Sequence, residues 1–178
     1  MKKCMNKKYQ VFISSTYKDL KEERSGVISA LLDLGCIPVG MEQFPAAPMK
    51  QWDYISMMID ESDYVVLIVA GKYGTEDKAT GISYTEKEFL YAKERNKPIL
   101  PFLIEDFSQI KLKTKVEDSE SKITKLKSFR ETIENSGYLV NYYKSIDDLR
   151  FKVARSMIKC MELFPAIGWI RADQIDND

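Results

Sequence analysis

The chain has 178 residues, 27 of them Lys or Arg, 27 Asp or Glu and none His. That length can bury one full core, and the balanced charge gives no global attraction for nucleic acid or an anionic membrane. The absence of histidine excludes Ser-His-Asp and Cys-His nucleophiles, His-ligated zinc or iron and a phosphohistidine relay, so any chemistry falls to carboxylates, hydroxyls, amines and backbone dipoles.

Residues 1–8 are basic but lead into only a short apolar run, and they read as a solvated arm, not a signal peptide. A first strand is expected at residues 9–14. A first helix follows at 17–34, where Leu20, Val27, Ile28, Leu31 and Leu32 form one apolar face and Thr16 with Asp19 resembles a capping box; Gly35 closes it. The second strand is placed at 36–41, and Glu42-Gln43-Phe44-Pro45-Ala46-Ala47-Pro48-Met49 is a proline-punctuated loop. A short helix at 52–61 precedes a third strand at 64–70, apolar on both faces as a central parallel strand should be, which ends at Gly71-Lys72-Tyr73-Gly74. A polar loop leads to a helix at 84–95 and a strand at 98–104. Residues 105–135 are charge-dense, and from 121 they read as an exposed helix packing through Ile123, Leu126, Phe129 and Ile133. A fifth strand is expected at 138–142 and a last helix at 146–164, opened by Ser145 and Asp148 and carrying a stripe of Leu149, Val153, Met157 and Met161. The division is thus an arm at 1–8, an α/β domain at 9–165 and a C-terminal extension at 166–178. Cys4, Cys36 and Cys160 are odd in number and far apart, which fits a reducing, cytoplasmic setting and argues against a metal site.

Alternating strands and helices of this kind make a three-layer αβα domain, flavodoxin-like, with a five-stranded parallel sheet in the order 2-1-3-4-5. Ligands of such sheets sit beyond the carboxyl ends of strands one and three. That rule nominates Ser14, Ser15, Thr16 and Tyr17, then Glu42 to Phe44, then Gly71, Lys72 and Tyr73 with the start of the following helix. A phosphoacceptor receiver would need acidic residues where Ser14-Ser15 and Ala70-Gly71 stand, and neither G-x-G-x-x-G nor a P-loop is present. The hydroxyls of Ser14, Ser15 and Thr16 either cap the first helix or also hold a phosphate there.

The segment Ser83-Tyr84-Thr85-Glu86-Lys87-Glu88-Phe89 opens with an S-x-x-E capping pattern, which assigns Ser83 as N-cap and Glu86 as the residue reaching back to it. Glu88 lies about 200° around the helix from Glu86, with Tyr84 and Tyr91. It is either a solvent-facing glutamate or a carboxylate in an aromatic-walled cleft, with its proton affinity raised by desolvation.

Val11-Phe12-Ile13-Ser14-Ser15-Thr16-Tyr17-Lys18-Asp19-Leu20-Lys21-Glu22-Glu23-Arg24, Pro38-Val39-Gly40-Met41-Glu42-Gln43-Phe44-Pro45-Ala46, Gly71-Lys72-Tyr73-Gly74, the Ser83 to Phe89 segment and the closing Gly168-Trp169-Ile170-Arg171-Ala172-Asp173 together resemble a TIR-like domain family of unassigned function. Members often stand at the N-terminus of NACHT-type and other NTPase or repeat proteins in immunity-like systems. The resemblance implies a TIR-like fold over the domain and a place in immune signalling. Enzymatic TIR domains carry a W-C-x-x-E glutamate in a cleft that binds NAD and supports cleavage of the nicotinamide–ribose bond. By that resemblance Glu88 takes the catalytic position, with Tyr84 and Thr85 where the Trp and Cys stand, and no metal or cofactor beyond NAD as substrate is implied. Ser14, Ser15, Thr16, Tyr17, Glu42, Phe44, Gly71, Lys72, Tyr73 and Tyr84 become the candidate substrate contacts. The resemblance also implies that the loop at 42–49 gates the cleft and mediates self-association, making a homo-oligomer and a partner effector or NTPase protein the expected associates. Two alternatives stand beside the NAD glycohydrolase or cyclase reading: a non-enzymatic self-associating module, and a nucleoside deoxyribosyltransferase-like enzyme with a glutamate nucleophile.

Overall fold

A computed structural model of the chain describes residues 7–46, 48–106 and 119–174. Residues 1–6 of the expected arm with Cys4, residue 47 of the loop after the second strand, residues 107–118 of the charge-dense stretch and 175–178 of the extension lie outside the described residues.

The run Tyr-Val-Val-Leu-Ile-Val forms β3 (Tyr64–Val69), and all six residues are buried, because the strand is covered on both faces and paired on both edges. β1 (Gln10–Ser15) lies on one side of it, with Val11 opposite Tyr64, and β4 (Ile99–Ile104) on the other, with Val65 opposite Ile99. β2 (Ile37–Val39) and β5 (Asn141–Tyr143) are the short edges, and every pairing is parallel in the order β2-β1-β3-β4-β5. The flavodoxin-like sheet expected from the alternation of elements is therefore the one observed.

Helices cover both faces. α1 (Lys21–Asp33) and α5 (Ile146–Leu163) bury Val27, Leu31, Leu149, Val153 and Met157 against Val11, Ile13, Val66, Ile68 and Phe102. α2 (Gln51–Glu61), α3 (Tyr84–Glu94) and α4 (Glu120–Glu134) bury Ile55, Ile59, Phe89, Leu126, Phe129 and Ile133 against Phe12, Val65, Leu67 and Leu103. Alternate residues of each strand thus feed opposite cores. Ser83 and Ser145 cap α3 and α5 as expected, each hydroxyl accepting the backbone N–H three residues on.

Three boundaries differ from the sequence expectation for physical reasons. The second strand, expected to reach residue 41, ends at Val39, where its pairing with β1 stops, and Met41–Gln43 turn in a short 3-10 helix. The first helix begins at Lys21, not at residue 17: the Thr16 hydroxyl bonds the Asp19 carboxylate at 3.0 Å instead of capping a backbone, and the N-cap residue Leu20 has no side-chain cap. The fifth strand starts at Asn141, because only residues 141–143 come opposite Phe102 to Ile104 of β4. Tyr138 instead packs edge-on to Phe89, and Leu139 is left 93% exposed. At the amino end of the sheet Lys8 pairs with Trp169 in an antiparallel bridge, and the Gly168 N–H donates to Asp63. The C-terminal segment is thereby docked at the end of the sheet opposite the site described next.

Candidate functional site

β1 and β3 end side by side, and the segments leaving them diverge around a cleft of about 730 Å³. Its walls come from six places: Thr16, Tyr17 and Asp19 before α1, Met41 after β2, Gln51 opening α2, Lys72 and Gly74 after β3, Tyr84 and Thr85 opening α3, and Lys122 of α4. The loops approach closely enough that only glycine fits at position 74, which has φ +94° and would place a Cβ 2.8 Å from the Thr16 methyl.

Glu88 lies at the base of this cleft with 2% of its surface exposed. The Ser83 cap fixes the rotation of α3, so that Tyr84 and Glu88, one turn apart, share the cleft face. Ser14, itself fully buried at the end of β1, donates its hydroxyl hydrogen to Glu88 Oε2 at 2.5 Å. Burial pushes the Glu88 carboxyl up to about 7, against the opposing pull of the Ser14 hydrogen bond and the Arg24 charge. Near neutrality it therefore exists in both protonation states. Asp19 is raised as well by burial, despite the Thr16 hydrogen bond and the nearby Lys72.

Beneath the Tyr17 wall lies Arg24, 1% exposed, donating to the Ile13 carbonyl at 3.1 Å, to Ser15 Oγ at 2.8 Å and through two nitrogens to the Glu42 carboxylate. Burial would raise the Glu42 carboxyl, but the Arg24 hydrogen bonds and charge outweigh it and hold it below the usual carboxylate range.

Of the residues nominated from sequence, Ser15, Thr16, Tyr17, Lys72, Tyr84 and Glu88 meet in the cleft. Ser14 stands directly behind Glu88. Glu42 reaches the site through Arg24, and Gly71 is a buried residue at the end of β3. Phe44 and Tyr73 turn elsewhere. Phe44 packs edge-on to Tyr54 of α2, centroids 5.0 Å apart. Tyr73 donates its hydroxyl hydrogen to Glu86 at 2.6 Å and accepts the Ser83 N–H at 3.2 Å, so Glu86 braces the helix start through Tyr73. Burial, and then the Glu86 carboxylate, push the Tyr73 hydroxyl up to about 12 against the opposing pull of Ser83, which keeps it protonated as a strut.

Sequence reasoning did not nominate Arg24 or Lys122, and it named Thr85 only within the start of the third helix. Lys122 comes from the charge-dense stretch and donates to the Gly74 carbonyl at 3.2 Å, a placement that no local pattern announces. Arg24 did leave a signal, as a cation standing within the apolar stripe Leu20, Val27 and Leu31. With Lys18, Lys21, Lys72 and Lys122 the cleft presents four lysines facing Asp19, Glu22 and Glu88, a rim suited to an anionic group above a carboxylate floor. Among the described residues no group of three or more Cys, Asp or Glu is placed to hold a metal ion, and no helix is long and apolar enough to cross a membrane.

The family model named "Domain of unknown function (DUF4062)" matches residues 10–158. No curated protein matches the chain. Among solved structures, it is similar to the TIR domains in the structure of the activated Roq1 resistosome directly recognizing the pathogen effector XopQ. The identity there is 12% over 83% of this chain and 82% of that one, with a TM-score of 0.44.

Proposed function

The chain belongs to the DUF4062 family, a domain of unknown function, and from the site it carries we propose that it binds NAD or a related nucleotide and cleaves the nicotinamide–ribose bond in a TIR-like signalling role. The observation that carries this reading is Glu88: a carboxyl buried at the base of an open cleft, hydrogen-bonded by Ser14 and titrating near neutrality.

The chemistry asks little more of the protein. Cleavage sends both electrons of the C1′–N bond to nicotinamide, which leaves neutral, and charge develops on the ribose as an oxocarbenium ion. An ionised Glu88 beneath C1′ stabilises that charge in a site from which water is partly excluded, where electrostatic stabilisation is strongest. Water then adds at C1′ and its proton passes to solvent, giving ADP-ribose; attack by a hydroxyl of the same nucleotide gives a cyclic product. Lys72 and Lys122 suit a pyrophosphate, the Thr16 and Thr85 hydroxyls suit ribose, and Tyr17 and Tyr84 offer ring faces. Since the ionised carboxylate is the working form, turnover rises with pH through about 7.

The test is nicotinamide release from NAD by the purified, concentrated chain beside Glu88→Ala. Release that is lost in the variant supports the reading, and no release under conditions that permit assembly overturns it. A second reading, a non-enzymatic self-associating module, has its own observation: Phe151 and Ile158, two turns apart on one face of α5, are 65% and 51% exposed. Light scattering that finds oligomers indifferent to NAD and to Glu88→Ala, with no nicotinamide released, would favour it.

A further inference from the structure

Among the described residues threonine stands in an α-helix at Thr85 of α3 and at Thr124 and Thr132 of α4. The two in α4 donate to the carbonyl four residues back, Glu120 at 3.1 Å and Ser128 at 2.9 Å. Thr85 is only the second residue of its helix, and the oxygen four residues back, that of Gly81, lies in the preceding loop and accepts from Lys125 at 3.0 Å. The Thr85 hydroxyl makes no hydrogen bond among the described residues, although the residue is 6% exposed. Its oxygen faces Gly74, 3.9 Å from where a Cβ there would stand, and both residues line the cleft. One turn further along α3, Glu88 is in the same condition. Its Oε2 accepts from Ser14, its Oε1 has no partner among the described residues, and neither this oxygen nor that of Thr85 is sealed off from the cleft. Polar atoms this deeply placed are ordinarily paired. Two without partners on the floor of one cavity, at Cβ atoms about 5–6 Å apart, suit a ligand that brings a hydroxyl group to them.

We propose that Thr85 Oγ1 and the free Oε1 of Glu88 form a subsite for the sugar hydroxyl on the carbon next to the glycosidic one, which makes Thr85 the residue that selects ribose over 2-deoxyribose. This rests on the reading of the cleft as a nucleotide site with C1′ above Glu88. Of the two ring atoms bonded to C1′, the ring oxygen carries no hydrogen, so a carboxylate and a hydroxyl meet their partner at the 2′-hydroxyl of C2′. That group donates to Glu88 Oε1 and accepts from Thr85, which a carboxylate alone, having only acceptors, could not complete. A 2-deoxy sugar leaves both buried oxygens without a partner again, and a site built to hold a hydroxyl rejects the analogue that lacks it for this reason. The neighbouring hydroxyls are already committed: Ser14 donates to Glu88, Ser15 to the Thr16 carbonyl at 2.7 Å and Thr16 to Asp19 at 3.0 Å.

The experiment is isothermal titration of the purified chain with ADP-ribose and with the analogue that lacks the 2-hydroxyl of its terminal ribose. The wild type should bind ADP-ribose about tenfold more tightly than the analogue. Thr85→Val, of the same shape without the hydroxyl, should cut that preference at least threefold by losing affinity for ADP-ribose, and Thr85→Ser, which keeps the hydroxyl, should retain it. If circular dichroism shows Thr85→Val unfolded, Thr85→Ala takes its place with the same expectation. A merely structural threonine would weaken both ligands alike. An equal loss for the two, a preference absent from the wild type or undiminished in Thr85→Val, its loss in Thr85→Ser, or no binding of either ligand at millimolar concentration overturns the proposal. Turnover is not read here. A chain that shows the Thr85-dependent preference but releases no nicotinamide from NAD loses the glycohydrolase reading and keeps the subsite, whereas one that releases nicotinamide with the preference undiminished in Thr85→Val keeps the reading and loses the subsite.

Discussion

Replacing Glu88 by glutamine should stabilise the fold, and by an amount that depends on pH. The carboxyl titrates at 4.5 in its ordinary state and at about 7 in its buried setting. Between those values the unfolded chain has released the proton while the native chain still holds it, so stability falls as pH rises through this window. Above 7 the loss is complete; below 4.5 both states are protonated and it vanishes. At about 1.4 kcal/mol per pH unit, the buried charge costs the fold about 3 kcal/mol at pH 8. Glutamine keeps the size and an acceptor for the Ser14 hydroxyl but never ionises. Urea unfolding of the two proteins should therefore differ little at pH 5, with Glu88→Gln about 3 kcal/mol more stable at pH 8. Thermal unfolding at pH 8 should rise by roughly 6–12 °C for a domain of this size. All other titrating groups are shared and cancel in the comparison at each pH. A difference that is the same at pH 5 and pH 8 would mean that Glu88 carries its charge without cost, and the account of a desolvated cleft carboxyl would be wrong. A residue that weakens its own fold in this way is what a functional site tolerates and a purely structural helix face does not.

Two further outcomes follow from the geometry. Lys122→Met removes one of the cleft cations and should raise KM for NAD about fivefold with kcat little changed; an equal rise for nicotinamide riboside, which lacks the pyrophosphate, would refute the phosphate role. Gly74→Ala puts a Cβ at φ +94° and 2.8 Å from the Thr16 methyl, and should destabilise the chain by about 1–3 kcal/mol in urea unfolding, whereas wild-type stability would show that the two loops do not need this close approach.

Much of the site was legible locally. The S-x-x-E cap at Ser83 sets where α3 starts, and from that start the 3.6-residue period places Tyr84 and Glu88 on one face and Glu86 on another. What the pattern could not say was which way each face pointed. Glu86 was expected to reach back within its own helix, but its partner is Tyr73, ten residues before the cap and close only in space. Phe44 and Tyr73 were nominated because they follow strands two and three, yet each turned into a neighbouring aromatic or polar contact that packing made available. The capping box suggested by Thr16 and Asp19 formed as a side-chain pair without a helix, because the segment must bend around the cleft before α1 begins.

The sequence by itself determined the alternation of strands and helices, the central place of β3, the caps of α3 and α5 and the absence of imidazole chemistry, because each of these depends on residue type and on neighbours a few positions away. Only the tertiary structure decided that Ser14 of β1 hydrogen-bonds Glu88 of α3, that Glu42 pairs with the buried Arg24 of α1, and that Lys122 joins the rim. Those facts depend on desolvation and on distances between segments that are far apart in the chain. The same burial that hides Glu88 from water raises its proton affinity and makes a carboxyl, in a chain without histidine, able to titrate near neutral pH.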